Sequence, residues 1–454
     1  MMAARHMSIP EPRPAPGKEE SVNAKRLTRI LCLAMVVLAV PALMWAGGAT
    51  EKKAEKILMR MGDDLPDRTG TWGAVVEMIN AEFIQQHPNV SFETESYPDQ
   101  PYQEKIKLYA TSGQLPDVMK YWSFSTLLKP LVDAGLVAEL SYDTFKAFDY
   151  IPGALEANMY GGKLYGIPTN SDFWLIYYNK RLFKEAGVEP FTTLEDMVAA
   201  IPKFRAKGII PMSTDGKDAW PLSITIDALT WRITGDFSII HKALARTGRF
   251  TEPPFVESAR LFQNVVKAGL FQDDLLTSDY GASRNLFGQE RAAMYLMGSW
   301  EMGICTDTNF PQSFRDNVGV MKIPVLKSGK GTIDQLVAWY GGNYIVSSKS
   351  KYRDLGIEYL KYYAKRFPVL AWEKQVVFPA QKVTPTASDT PVAKALVSMV
   401  NSATATSGTG ALDLSTPAFK EDNQKFAKDL AAGVLTPEEY TQKLDASAAA
   451  AAVQ

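Results

Sequence analysis

The sequence predicts an α/β protein built from at least two packed units, each a mainly parallel sheet covered by helices. Three observations lead there. The chain has 454 residues, more than the roughly 250–300 at which a single hydrophobic core stops growing. Strand and helix patterns alternate from residue 57 onward, the signature of parallel strands joined by helical crossovers. A second alternation starts near Trp174 with no long linker before it, so the chain is expected to cross between units more than once.

The elements follow in order. Ile57, Met59 and Met61 alternate as in a strand, and Trp72, Val75, Val76, Ile79 and Phe83 fall at helical spacing. Val90, Phe92 and Thr94 alternate again. A helix over 102–111 and a short strand over 118–121 come next, then a helix over 125–134 with Gly135 as its C-cap. In the second unit, 174–178 reads as a buried strand and Asn179-Lys180 as a turn. Thr192 and Glu195 form a capping box that opens a helix to about residue 206. A helix over 255–268 stops at Gly269. Thr436-Pro437-Glu438-Glu439 combines an N-cap, a proline at the first helical position and a capping glutamate. The alanine-rich tail, 446–454, is expected to fray, and no repeat of solenoid period is visible.

Composition narrows the function. Apolar residues make up 46% and charged residues 22%, an ordinary globular balance, and the formal net charge is −1. A nucleic-acid partner would call for a strongly basic face, and none is expected. Lys25, Arg26 and Arg29 precede an apolar run over 30–40, and small residues follow at Ala46, Gly47 and Gly48. A basic start, a short apolar stretch and a small-residue exit make a secretory leader over 1–46, so a periplasmic protein is expected. The run is short for an ordinary membrane anchor. Residues 1–20, Pro-rich and acidic, do not look like a leader and are set aside. Cys32 lies early in the apolar run rather than at its end, which argues against a lipid anchor. That leaves Cys305 alone in the mature chain, with no internal disulfide. Three histidines, His6, His87 and His241, leave little room for a zinc site, and neither a metal nor a cofactor is expected.

Several segments resemble the family 1 extracellular solute-binding proteins, the group of maltose-binding protein. They are His87-Pro88-Asn89-Val90; the block Lys105 to Val118 with Gly113, Pro116 and Asp117; Gly162-Lys163-Leu164-Tyr165-Gly166-Ile167-Pro168; Tyr178-Asn179-Lys180 with Phe183-Lys184-Glu185-Ala186-Gly187; and Phe287-Gly288-Gln289-Glu290-Arg291-Ala292-Ala293-Met294 before Gly298-Ser299-Trp300. Their order along the chain makes the match specific. The resemblance implies a two-lobed periplasmic-binding-protein fold of type II-like form, with the ligand in the cleft and crossover strands between the lobes. Lobe one would hold 57–170 and 324–370, and lobe two 171–323 and 371–445. It also implies a monomer that captures a sugar, oligosaccharide or polyol and delivers it to the permease subunits of an ABC importer.

A sugar presents hydroxyls that want paired acceptors and C–H faces that want a flat apolar surface. Candidates are therefore acidic and aromatic residues on loops after strands. Asp63 and Asp64 end the first strand, and Trp122 follows the third. Asp172 lies where the chain should cross between lobes. Trp220 and Trp300 with Glu301 would line the second lobe, and the glycines near Trp300 allow close backbone approach. Trp339, Tyr340 and Gly341 form a further loop before a strand. A non-sugar solute, a receptor or adhesin without transport, and a carbohydrate-active hydrolase are the alternatives. The last finds no support in local motifs: there is no Gly-x-Ser-x-Gly elbow, P-loop or His-Glu-x-x-His.

Overall fold

In the computed structural model, residues 55–452 are described. The leader, Cys32, His6 and residues 453–454 lie outside them. The strands that build the two main sheets are β1 (Ile57–Asp63), β2 (Val90–Ser96), β3 (Val118–Trp122), β4 (Ile167–Pro168), β5 (Asp172–Asn179), β6 (Ile210–Ser213), β7 (Ala292–Gly298), β8 (Val318–Lys322), β9 (Ala338–Trp339) and β10 (Gly342–Val346).

The first sheet has the order β2-β1-β3-β10-β4. Side chains on a strand alternate between faces, and the buried residues sort accordingly. Val118, Tyr344 and Val346 join one core, beneath the helices Trp72–Gln86 and Arg353–Glu373. Met119, Tyr121 and Ile345 join another, beneath the helix Asp99–Ser112. Polar ties pin the first pair of helices: Tyr359 donates to Asn80 Oδ1 (2.6 Å), and Arg366 Nε donates to Glu82 (2.6 Å).

The second sheet has the order β8-β5-β7-β6, with β9 on the first residues of β5. Every residue of β7 is buried, as a strand covered on both faces requires. Neither sheet is mainly parallel: the first is evenly mixed and the second is mostly antiparallel. β1 runs parallel to β2 and β3, and β6 parallel to β7, but β10 is antiparallel to β3 and β5 to β7 and β8. The antiparallel pairings mostly involve strands that enter or leave at a crossing, where the chain direction reverses.

Three segments cross between the sheets. Residues 169–171 join β4 to β5, 340–341 join β9 to β10, and 376–381 run beside the first, with Ser171 N–H donating to Phe378 O (2.9 Å) and Ala380 N–H to Thr169 O (3.1 Å). The second crossing is later than the expected boundary at 324. Leu326, Leu336, Val337 and Trp339 belong to the core of the second lobe.

Three local expectations change. Asn179 is no turn residue: it caps the helix Lys180–Ala186, accepting Leu182 N–H. The cap of the helix Leu194–Arg205 is Thr193, paired with Asp196, one residue on from the expected Thr192 and Glu195. Thr192 spends its carbonyl on Val325 N–H, and Glu195 accepts Lys327 N–H, so both serve the neighbouring loop. The tail does not fray over 446–452. Helix Pro437–Ala452 continues there, with Ala448 buried and Ser447 donating to Asp422 (2.7 Å). At its start Thr436 and Glu439 form the expected reciprocal box.

The C-terminal helices lock onto lobe two. Gln263 Nε2 donates to Leu430 O and Leu435 O, and Asp227 Oδ2 accepts Ala411 N–H (2.7 Å). Burial pushes the Asp227 carboxyl up to about 7. The folded chain therefore keeps a proton that the unfolded chain releases, so this contribution is full at low pH and is lost as pH rises through 7. The melting temperature should fall between about pH 4 and pH 7. Asp227→Asn, which retains an acceptor for Ala411, should flatten that fall and melt higher than the parent at the alkaline end. Gly342→Ala tests the crossing: its Cβ would lie 2.4 Å from Asn170 Oδ1 and 2.9 Å from Thr169 Oγ1. Urea unfolding should show a loss of about 1–3 kcal/mol, the range for overpacking a filled site.

Candidate ligand cleft between the lobes

A cavity of about 390 Å³ lies between the lobes, beside the crossings. Its position follows from the fold. The carboxyl ends of β1 and β3 open onto it, where loops are free to diverge from the sheet. The first turns of the helices Trp72–Gln86, Asp99–Ser112, Trp220–Thr234 and Tyr280–Gly288 also face it. Three of these four helices have no side-chain cap, and Ala219, before Trp220, takes φ 62°.

Tryptophans form much of the apolar wall. Trp300 packs at 5.9 Å from Trp220, 6.0 Å from Trp339 and 6.2 Å from Trp174, ring centre to ring centre. Its ring lies directly over Gly298, where a Cβ would come within 2.0 Å of it. Only glycine permits that fold-back. Across the cavity, Trp122 and Trp72 flank the Lys120 ammonium, which sits 5.3 and 4.7 Å from their ring centres, close enough for cation–π attraction.

Polar groups are placed among the rings. Lys120 pairs with Asp64 at 2.6 Å, both largely withdrawn from solvent. Arg284 donates to Glu301 (2.8 Å), which also accepts Tyr280 O–H, and Tyr280 in turn accepts Trp300 Nε1–H (3.1 Å). Burial opposes the charge on Arg284, yet the Glu301 carboxylate holds the guanidinium above its ordinary range. Asp172 accepts from Asn170 Nδ2 and from Gly341 N–H (3.1 Å). Burial raises it to about 7, against the pull of Lys120. Several bonds join the lobes directly: Trp220 Nε1–H donates to Asp99 Oδ2 (2.9 Å), Ser125 Oγ–H to Asp413 O (2.8 Å) and Thr126 Oγ1–H to Asp413 Oδ1 (3.2 Å). Burial, then the carboxylates of Asp64 and Asp218, push Asp99 up to about 6.

The structure brings Asp64, Trp122, Asp172, Trp220, Trp300, Glu301 and Trp339 to this cavity. Three expected residues do not line it. Asp63 is fully buried behind the loop, where it accepts from Arg68 (2.6 Å), Ser96 and Leu65 N–H. Tyr340 turns away, its hydroxyl donating to Pro152 O (3.2 Å). Gly341 supports the site from behind: a Cβ there would strike Asp172 Oδ2 at 2.7 Å and Trp339 Nε1 at 2.8 Å.

Trp72, Asp99, Lys120, Tyr280, Arg284 and Lys420 reach the cavity without having been singled out. Lys120 had a visible signal, a cation inside the otherwise apolar strand Val118–Trp122. Trp72 reads as one more member of an apolar helix face. Nothing local marks Arg284 or Lys420, which arrive from helices distant in sequence.

The pattern of the bacterial extracellular solute-binding proteins matches residues 69–366. An uncharacterized ABC transporter extracellular-binding protein of Pyrococcus horikoshii is 23% identical over 322 residues, 67% of this chain and 71% of that one. The multiple sugar-binding protein of Streptococcus mutans is 25% identical over 293 residues, 62% of this chain and 66% of that one. Among solved structures, one from work on xylan utilization by Caldanaerobius polysaccharolyticus superposes with a TM-score of 0.79 at 26% identity, covering 86% of this chain and 99% of that one. Because the matched span runs through both lobes and two of the three crossings, the chain belongs to the bacterial extracellular solute-binding protein family.

Proposed function

We propose that this protein captures a sugar or small oligosaccharide in the interlobe cleft and hands it to the permease subunits of an ABC importer, acting as a monomer in the periplasm. The observation that carries the reading is the pairing of flat tryptophan faces with hydrogen-bonding side chains from both lobes. Trp122, Trp220, Trp300 and Trp339 offer faces for sugar C–H groups, while Asp64, Lys120 and Asp172 offer acceptors and a donor for hydroxyls. The cavity volume lies within the range of small-molecule sites. The sugar-binding relative and the ABC transporter relative support the ligand class and the partner.

Binding without turnover is the role favoured here. The cleft carboxylates are already engaged, Asp64 by Lys120, Glu301 by Arg284 and Tyr280, and Asp172 by Gly341 and Asn170. They are set to hold, not to attack a glycosidic bond.

Capture couples to closure. A ligand touching both walls binds the closed state better than the open one and shifts the population toward it by that difference. Trp220 and Asp99 then meet across the mouth as a latch. Closing also shields the polar contacts from competing water.

Thermal melting of the mature protein against mono- and oligosaccharides, polyols, amino acids and anions tests the ligand class. A rise with one carbohydrate class, with the compound recovered intact, is expected. A rise only with an anion or amino acid would sink the assignment. Trp220→Phe keeps an aromatic face, though a smaller one, and removes the N–H. Calorimetry should show sugar affinity falling about 5- to 10-fold, the worth of roughly one hydrogen bond, with the unliganded melting temperature little changed.

A further inference from the structure

Beside the cleft, three carboxylates gather from the two lobes. Asp99 opens the helix Asp99–Ser112 of lobe one, and Asp215 and Asp218 lie in the loop between β6 and the helix Trp220–Thr234 of lobe two. One oxygen from each lies within 4.8 Å of the others. Asp215 is fully buried. Its Oδ1 accepts Asp218 N–H (3.0 Å), but its Oδ2 has no hydrogen-bond partner. Asp99 accepts Trp220 Nε1–H on one oxygen and Gln103 Nε2–H on the other, which leaves lone pairs free on both. The neighbouring cations form their ion pairs with other carboxylates, Lys217 with Asp279 (3.5 Å) and Lys420, whose charge also reaches Asp99, with Asp413 (2.6 Å).

A buried carboxylate with an unpartnered oxygen, clustered with two more carboxylates, is costly unless a cation or a shared proton sits among them. The donors are all oxygen. Such a set suits a hard divalent ion and not zinc, so the scarcity of histidine does not bear on it. Asp99 lines the cavity but Asp215 and Asp218 do not, so ligand hydroxyls are not the natural partners of those two carboxylates.

We propose that Asp99, Asp215 and Asp218 hold a divalent cation of the calcium class, and that this cation ties the lobes together at the mouth of the cleft. Bound ion and closed form then reinforce each other, and by linkage the ion tightens sugar binding as much as sugar tightens ion binding. The coupling rests on the sugar reading above, whereas the cation site stands without it.

The test uses the whole mature chain stripped with a chelator. Calcium is titrated by calorimetry, and terbium by luminescence excited through tryptophan, because Trp220 is bonded to Asp99. One terbium ion per chain, displaced by calcium, is expected. Asp215→Asn and Asp218→Asn should each weaken it by about tenfold or more, as the loss of one charged ligand does. Asp215→Asn should melt no lower than the parent in metal-free buffer, because it removes a buried charge, and that separates loss of the site from loss of the fold. No uptake at about 1 mM calcium, the weak end of biological calcium sites, would overturn the proposal, the cluster then being neutralised by shared protons. Unchanged affinity in both variants would overturn it too, by placing the ion elsewhere. A sugar-induced melting shift on the same sample keeps the two readings apart. Sugar response without ion response sinks the cation site alone, and the converse sinks the sugar ligand alone.

Discussion

The two lobes meet where three stretches of backbone pass side by side, and the buried carboxylate of Asp172 sits in that seam. It takes Asn170 Nδ2–H from its own crossing and Gly341 N–H from the next. Backbone polar groups there are cut off from water and must find partners in the protein. Ser171, Thr169 and Ser123 meet the same demand by bonding to neighbouring crossings. Glycine at 341 and 342 lets the strands come close enough, since any Cβ would strike Asp172 or Asn170. The cleft inherits its geometry from this seam. Trp339 precedes it, β10 follows it, and Trp300 packs against the cores of both lobes beside it.

Electrostatics in the cleft follow one rule. Each charge drawn in from water is matched by an opposite charge or a donor within bonding distance, as with Lys120 and Asp64, or Arg284 and Glu301. Such pairs contribute little net stability, because desolvation offsets much of their attraction. Their value lies in holding rings and polar atoms in fixed positions before a ligand arrives, which lowers the cost of ordering them on binding. The Asp99, Asp215 and Asp218 cluster departs from that rule, and for that reason it points to an ion.

How much could be read beforehand depends on the range of the interaction involved. Period-two and period-3.6 patterns located β1, β2 and β3 and the helices between them, because burial of one face acts on neighbouring residues. The box at Thr436 and Glu439 was legible for the same reason: cap and partner lie within one turn. At Thr192 the local pattern misled by one residue: its carbonyl serves Val325, in a distant loop, and the cap is Thr193. The tail looked free to fray because alanine alone gives no sign of a partner. Asp422, on the preceding helix, supplies one to Ser447.

By itself the sequence determined the α/β alternation, the aromatic and acidic residues stationed after strands, and the family resemblance, all carried by residue type and short spacing. Only the tertiary structure decided where the chain changes lobe, that Asp63 anchors a loop behind the cleft, and that Arg284, Lys420 and Asp99 join the same cavity. It alone set Asp99 against Asp215 and Asp218. The contacts that bring Asp99 to Trp220 and to the carboxylates of the second lobe span more than a hundred residues and depend on how two sheets are docked, a choice made by the summed burial of both cores and by the bonding needs of the crossings, which no local window of sequence contains.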